Sequence, residues 1–320
     1  MKKILLVGVL FIATALKLFA QDSTDIMSKL EKDTKKTDYT TATFKSSRVI
    51  NGHSVENIGK GVLDVRILHR FTPISGGAYQ LLGLDGAYMR LGFDYGITNN
   101  IMVGIGHTTY AKTYDGLIKI KLLRQSTGAV NMPVTMSFLS TINIRSDLAR
   151  YDTFRNVFGQ GYRRVHPTFG DRTTFVEQLI IGRKFSNRFS LQFMPTYIIN
   201  HNKVDSVNKY TVDRDSLRYG PSKRKNTFAL GIATRLKVSK RISLTAEYYY
   251  QLGDQPYNVH NALSFGIDIE TGGHVFQMHF TNAAAMTESF VIPATTDKFN
   301  GKNIRFGFNL SRVFNIGKHH

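Results

Sequence analysis

Two short motifs place a histidine and a hydroxyl two residues apart: His107-Thr108-Thr109 and His279-Phe280-Thr281. On a β-strand that spacing puts both side chains on one face, where a base can reach a hydroxyl nucleophile. Barrel enzymes that act on lipids use serine in this arrangement, and no His-x-Ser occurs in the chain. Neither motif is therefore expected to be catalytic, and the protein is not expected to be an enzyme. For metals, no HExxH and no EF-hand loop is present. Asp213 and Asp215 are the nearest approach to a calcium pair, and a solvated loop is the simpler reading. No cofactor site is expected.

A larger constellation is ionic. Arg66, Arg70, Arg90, Lys119, Lys121, Arg145, Arg235, Lys237 and Arg305 share one parity with Asp64, Asp94, Glu247, Asp268 and Glu270. If that parity faces the inside of a barrel, the basic excess describes a lumen that favours a small anionic solute, since rings of charge select ions. The same residues suit a second role, cross-strand salt bridges such as Arg90 or Arg66 with Asp94.

The elements that must carry these residues are strands. About a dozen segments alternate apolar and polar side chains: 60–71, 86–97, 101–110, 115–125, 133–145, 172–185, 188–201, 226–238, 241–252, 260–270, 274–283 and 303–316. Each is near the 9–11 residues that a tilted strand needs to cross a bilayer. Ala87, Met89, Leu91, Phe93, Tyr95 and Ile97 share one side, as do Phe189, Leu191, Phe193, Pro195, Tyr197 and Ile199. A Lys or Arg at the bilayer midplane costs about 2–4 kcal/mol, so the basic face is expected to point inward. Segment 172–185 has no clear register, because Glu177 falls beside Phe175, Leu179 and Ile181. His69, His107 and His274 also take the outward parity.

The connections alternate. Thr98-Asn99-Asn100, Ser186-Asn187, Ser239-Lys240 and Thr271-Gly272-Gly273 are tight turns, with 128–132 slightly longer. Most of the others are long. The expected fold is all-β: a single transmembrane antiparallel β-barrel of about twelve strands, with long extracellular loops and short periplasmic turns. Twelve tilted strands enclose a backbone cylinder roughly 24 Å wide. Glycines inside strands, such as Gly104 and Gly106, are expected to ease curvature.

Composition agrees. Lys2 and Lys3 precede the apolar run Ile4–Leu16, which is shorter than the roughly 20 residues of a spanning helix. This reads as a secretory signal over 1–20, cut after Ala20. Losing Lys2, Lys3 and Lys17 takes the 42 basic residues to 39 against 23 acidic, a net +16. The basic residues alternate with apolar ones, so nucleic acid is not the expected partner. Outer-membrane lipid and lipopolysaccharide phosphates are, notably for loop 202–225 with its seven basic residues. The chain has no cysteine, hence no disulfide, and no tryptophan. The expected organisation is a signal at 1–20, an N-terminal segment at 21–58, a barrel at 59–316 and a tail at 317–320. Within the N-terminal segment, Asp25–Lys36 is weakly helical, and an extended stretch ends in a turn near Asn51-Gly52. The segment either plugs the lumen or lies in the periplasm.

Several stretches resemble a known family. They are Thr43-Phe44-Lys45, the run Arg48 to Glu56, Lys60-Gly61-Val62-Leu63, Phe93-Asp94-Tyr95-Gly96, Lys112 to Gly116 with Lys119 and Lys121, and Ile181 to Ser186. Together they resemble a Bacteroidota family of outer-membrane β-barrel proteins catalogued only as a domain of unknown function. The resemblance implies a barrel in the outer membrane and carries no substrate or catalytic residue. The expected function is a passive channel or binding barrel with a basic, anion-leaning lumen. The alternative is a non-conducting barrel that is a structural or interaction partner of a periplasmic or surface protein.

Overall fold

The structure is a computed structural model describing residues 36–146, 151–156, 159–164, 168–200, 226–253, 255, 259–300 and 302–316. The signal segment, the whole of loop 202–225 with Asp213 and Asp215, the stretch 25–36 read as weakly helical except for Lys36, and the C-terminal tail lie outside these residues. Twelve strands close into one antiparallel barrel. In chain order they are β1 (Val62–Pro73), β2 (Ala87–Gly96), β3 (Ile101–Thr108), β4 (Thr113–Leu123), β5 (Thr135–Arg145), β6 (Thr173–Lys184), β7 (Phe189–Asn200), β8 (Asn226–Lys237), β9 (Ile242–Gln251), β10 (Leu263–Thr271), β11 (His274–Thr281) and β12 (Arg305–Asn315). Neighbours in sequence are neighbours in the wall, and β12 pairs with β1 to close it. A separate antiparallel pair, Tyr151–Asn156 with Gly159–Arg164, lies in the β5–β6 connection.

Three of the tight turns share one device. Thr98 Oγ1 accepts from the N–H groups of Asn100 and Ile101, Ser186 Oγ from Arg188 and Phe189, and Ser239 Oγ from Arg241 and Ile242. A hydroxyl that satisfies the amides two and three residues on fixes the reversal, and with it the strand register. In the β4–β5 connection, Ser126 Oγ donates to the Val130 carbonyl at 2.8 Å.

The outer face is a band of large apolar side chains, including Met89, Leu91, Phe93, Ile105, Ile118, Phe193, Ile232, Phe265, Phe276 and Phe280, all exposed. Water would make such a surface aggregate, and hydrocarbon suits it. His69 belongs to this face, stacked against Phe308 and tilted on Phe71. Glu177 faces outward too. It alternates with buried Val176 and Gln178, and accepts a hydrogen bond from Ser140 on β5 at 2.8 Å.

The inner face departs from the sequence reading, which makes it polar throughout. Leu139, Val176, Ile180, Met194, Ile198, Ala229 and Ala233 point inward on β5 to β8 and are buried. With Phe44, Val49, Ile50 and Val55 of the N-terminal segment they form one apolar cluster. Burial on both faces removes the alternation, as in the runs Leu179-Ile180-Ile181 and Ile198-Ile199.

Candidate functional site

The charged side of the lumen is built by β1 to β4 with β12. Arg90 lies across the wall above Gly92 and Gly106, where an added Cβ at either glycine would collide with its guanidinium. The space lets it reach Asp115 on β4 in a two-pronged contact, Nε to Oδ1 at 2.9 Å and Nη2 to Oδ2 at 2.5 Å. Gly104 likewise leaves room for Asp94, and Gly307 for Arg70, which meets His279 across it. Arg66 pairs with Asp64, whose other oxygen accepts from Ser311 at 2.6 Å. Parity makes Asp94 the expected partner of Arg90 or Arg66. Arg66 Nε stands 3.9 Å from Asp94 Oδ2, whereas Arg90 takes Asp115, because the glycine at 106 opens the path to the next strand but one. These glycines give long polar side chains a place to lie.

Into this wall runs the N-terminal segment. Residues 43–58 form a hairpin: Val49 N–H donates to the Gly52 carbonyl at 2.9 Å, and Arg48 bridges His53. The turn read at Asn51-Gly52 is its tip. It begins and ends near the short-turn end of the barrel, where Lys184 Nζ donates to the Thr41 carbonyl at 3.0 Å and Asn57 to the Asn100 carbonyl at 2.9 Å. A buried irregular chain must find a partner for each amide and carbonyl, and the wall supplies them. Glu247 on β9 accepts from Ile50, Asn51 and Gly52 N–H at 3.3, 3.3 and 2.9 Å. Lys119 on β4 donates to the carbonyls of Ser47, Ser54 and Glu56 at 3.4, 3.1 and 2.5 Å. Gln192 on β7 accepts from Val55 N–H at 3.1 Å and donates to the His53 carbonyl at 2.8 Å. Gln277 and Asn309 donate to the carbonyls of Val49 and Ile50 at 2.7 and 2.9 Å. Arg235 donates to Ala42 and Thr43, Ser137 to Val55, Arg66 to Ser47, and Arg70 to Asn51, whose amide donates to Ser264. Among the described residues, side chains from every barrel strand except β2 and β3 thus bond to residues 41–56.

A second insertion comes from the long-loop end. Between β11 and β12 the chain turns inward, burying Ala283, Ala285, Met286, Val291 and Ile292. Its one helical turn, Glu288–Val291, carries a buried carboxylate to the hairpin. Glu288 Oε1 accepts from His53 N–H at 3.0 Å and from His53 Nδ1 at 2.7 Å, and Arg48 Nη1 stands 3.6 Å from Oε2. Burial, reinforced by the charge of Arg48, pushes the His53 imidazole down to about 4, so it is neutral at pH 7. Burial would raise Glu288. His53 and Arg48 outweigh it and hold that carboxyl below the usual carboxylate range.

Of the residues singled out as lumen-lining, Arg66, Arg70, Arg90, Asp94, Lys119, Arg145, Arg235, Glu247 and Asp268 are buried. Lys121 and Arg305 are partly covered, with Lys121 Nζ 3.9 Å from Glu56 and Arg305 donating to Asp297 at 2.7 Å. Lys237 is half-buried near the short-turn end. Asp268 accepts from Gln277 at 3.1 Å. Gln192, Gln277, Asn309 and Glu288 bind the hairpin as directly as any charged residue, and composition gave them no distinction. The His-x-Thr motifs separate: His107 faces outward beside Tyr114, and His279 faces the lumen against Arg70.

A family model described as "Membrane bound beta barrel domain (DUF5777)" matches residues 44–314. No curated protein matches the chain by sequence. Among solved structures, the chain is similar to the NanC porin, with 10% identity, 78% of this chain and 98% of that chain covered and a TM-score of 0.45. It is similar to the KdgM porin at 7% identity, with 79% and 99% covered and a TM-score of 0.44. It is also similar to the outer membrane protein Omp33 of Acinetobacter baumannii at 8% identity, with 79% and 97% covered and a TM-score of 0.36.

Proposed function

Because the chain belongs to the membrane-bound β-barrel family DUF5777, we propose that it is an outer-membrane barrel plugged by its own hairpin, residues 43–58. In this reading the chain belongs to a bacterium of the Bacteroidota lineage and is cut near Ala20 on export. The short turns face the periplasm, and the long connections face outward among lipopolysaccharide phosphates. The function is that of a non-conducting barrel, a structural or interaction partner of a periplasmic or surface protein. One observation carries it: residues 41–56 are hydrogen-bonded to ten of the twelve strands, counted from the bonds described above. A segment tied around nearly the whole circumference is a built part of the interior.

A channel with an anion-leaning lumen is the second reading, and a different observation favours it. Among the described residues β2 and β3 make no such bond to the hairpin, and beside them lie buried atoms with no hydrogen-bond partner: both oxygens of Asp94, Nε and Nη1 of Arg66, Nη1 of Arg90 and Nε of Arg48, with Arg66 Nε facing Asp94 Oδ2 at the ion-pair distance of 3.9 Å. Facing donors and acceptors just out of mutual reach are the chemistry of a hydrated seam. Such a seam would pass small ions and exclude larger solutes.

Planar-bilayer conductance separates the two. Val55→Cys with Gly182→Cys introduces the only cysteines, at a site where a Cβ on residue 182 stands 3.4 Å from that of Val55, close to disulfide geometry. The closed reading expects silence from the native chain and the oxidised lock, and anion-preferring current when residues 43–58 are replaced by a short linker. Steady current through the oxidised lock would overturn it in favour of the seam.

A further inference from the structure

We propose that the β1–β2 connection, residues 74–85, is a membrane-seating loop that rests in the boundary between headgroups and acyl chains. The inference rests on the barrel lying in a membrane and is independent of whether its lumen conducts.

The loop presents apolar and aromatic side chains outward: Tyr79 is 93% exposed, Leu81 and Leu82 are each 61% exposed, and Leu84 is 44% exposed. Between Ile74 and Leu84 there is no charged residue, and Asp85 follows at the end. A loop that stands free in water is ordinarily polar, and a cluster of this kind marks contact with another surface.

The exposure is held in place by the backbone. Leu81 and Leu82 both sit in the left-handed region, with φ of 45° and 54°. Branched side chains adopt it at a cost, and such strain persists where surrounding bonds impose it. Here Leu82 N–H donates to the Gly77 carbonyl at 2.7 Å, Thr72 N–H to the Gly86 carbonyl at 3.0 Å and Ile74 N–H to the Ile304 carbonyl at 2.9 Å. Thr72 Oγ1 donates to the Gly83 carbonyl at 2.8 Å. Gly83, at φ 89°, is buried against the Thr72 carbonyl. The fold therefore pins a short arch whose leucines stay out.

The surface it continues is the lipid-facing band. Past the loop, β2 extends the same exposed series with Ala87, Met89, Leu91 and Phe93. A tyrosine above leucines at the margin of an apolar band is the arrangement that suits the membrane interface, with the ring body in the apolar layer and the hydroxyl wet. Without Lys or Arg the arch offers nothing specific to a phosphate. Its exposed polar side chains are few, Ser75, Gln80 and Asp85, and its apolar face runs on into the lipid-facing band. Lipid is the occupant that fits.

The absence of tryptophan makes the test clean. Tyr79→Trp and, separately, Phe276→Trp place a single indole reporter on the loop and in the band. In vesicles of phosphatidylcholine brominated near the headgroup end of the chains, emission from the loop indole is expected to shift to the blue and to be quenched. The loop indole is expected to resist aqueous iodide as the band indole does. Adding Leu81→Asn and Leu82→Asn, which suits the left-handed backbone and removes the apolar side chains, is expected to abolish lipid quenching at position 79 alone. A loop indole quenched by iodide and untouched by brominated lipid, while the band indole responds to lipid, would overturn the proposal. So would protection of the loop indole that develops only when another protein co-purifies.

Discussion

Val55 of the hairpin stands against Gly182 of β6 so closely that a Cβ on the glycine would lie 2.6 Å from Val55 Cγ1. The wall gives up a side chain where the hairpin supplies one. Steric matching of this kind makes the two segments specify each other although they lie far apart in the chain.

Gly182→Leu is accordingly expected to displace the hairpin, at about 1–3 kcal/mol for overpacking. Hydrogen exchange of the Val49–Glu56 amides should accelerate while the strands stay protected. Val55→Ala in the Gly182→Ala background should recover part of the loss, with a coupling of at least about 0.5 kcal/mol in a double-mutant cycle. Additive effects would mean that the two side chains do not meet.

Arg90 and Asp115 form a pair that is buried on both sides. Removing one partner, as in Asp115→Asn, leaves the other charge uncompensated and is expected to cost about 3–5 kcal/mol, read as a lower midpoint of heat or denaturant unfolding in detergent. Arg90→Met together with Asp115→Leu should cost much less than either single change. If the single changes are silent, the guanidinium does not lie over Gly106.

Acid is expected to loosen the hairpin. His53 is lowered from 6.5 to about 4 in the fold, so between those values the unfolded chain binds the proton that the folded one refuses. Stability from this group is present above pH 6.5 and is lost as pH falls toward 4, by at most about 3 kcal/mol. Glu288, held below its ordinary value, adds to the loss below about pH 4.5 with the same sign. Protease cleavage within residues 43–58 should rise across that window in the native chain and be flatter in His53→Asn. An identical pH profile for the variant would remove His53 as the cause.

Glu177 faces the apolar exterior with Ser140 as its hydrogen-bond partner. Glu177→Leu is expected to leave thermal stability in lipid vesicles unchanged or to raise it, by up to about 2 kcal/mol. A marked loss would place the carboxylate inside the wall and shift the register of β6.

Much of the wall was legible before any coordinate. All twelve strands lie where alternation put them, with ends displaced by no more than three residues. Thr98, Ser186 and Ser239 marked their turns because a hydroxyl acts on amides two and three residues away, a local effect. The tip at Asn51-Gly52 was visible for the same reason. Gly106 and Gly182 were not. A glycine in a strand reports missing bulk, and only the neighbouring strand and the hairpin reveal what fills it. The inward role of Val176, Ile180, Met194 and Ile198 is likewise hidden in the sequence, since period-2 patterning disappears when both faces are apolar.

Local periodicity, then, determined a two-faced wall, its turns and the solvent outside it, because strand geometry repeats every two residues wherever the chain goes. Tertiary structure alone decided what the interior holds. Glu247 meets Gly52 across 195 positions and Glu288 meets His53 across 235. Those partners were chosen by the need of a buried, irregular backbone to satisfy its amides and carbonyls, a demand met in three dimensions and written in no local pattern.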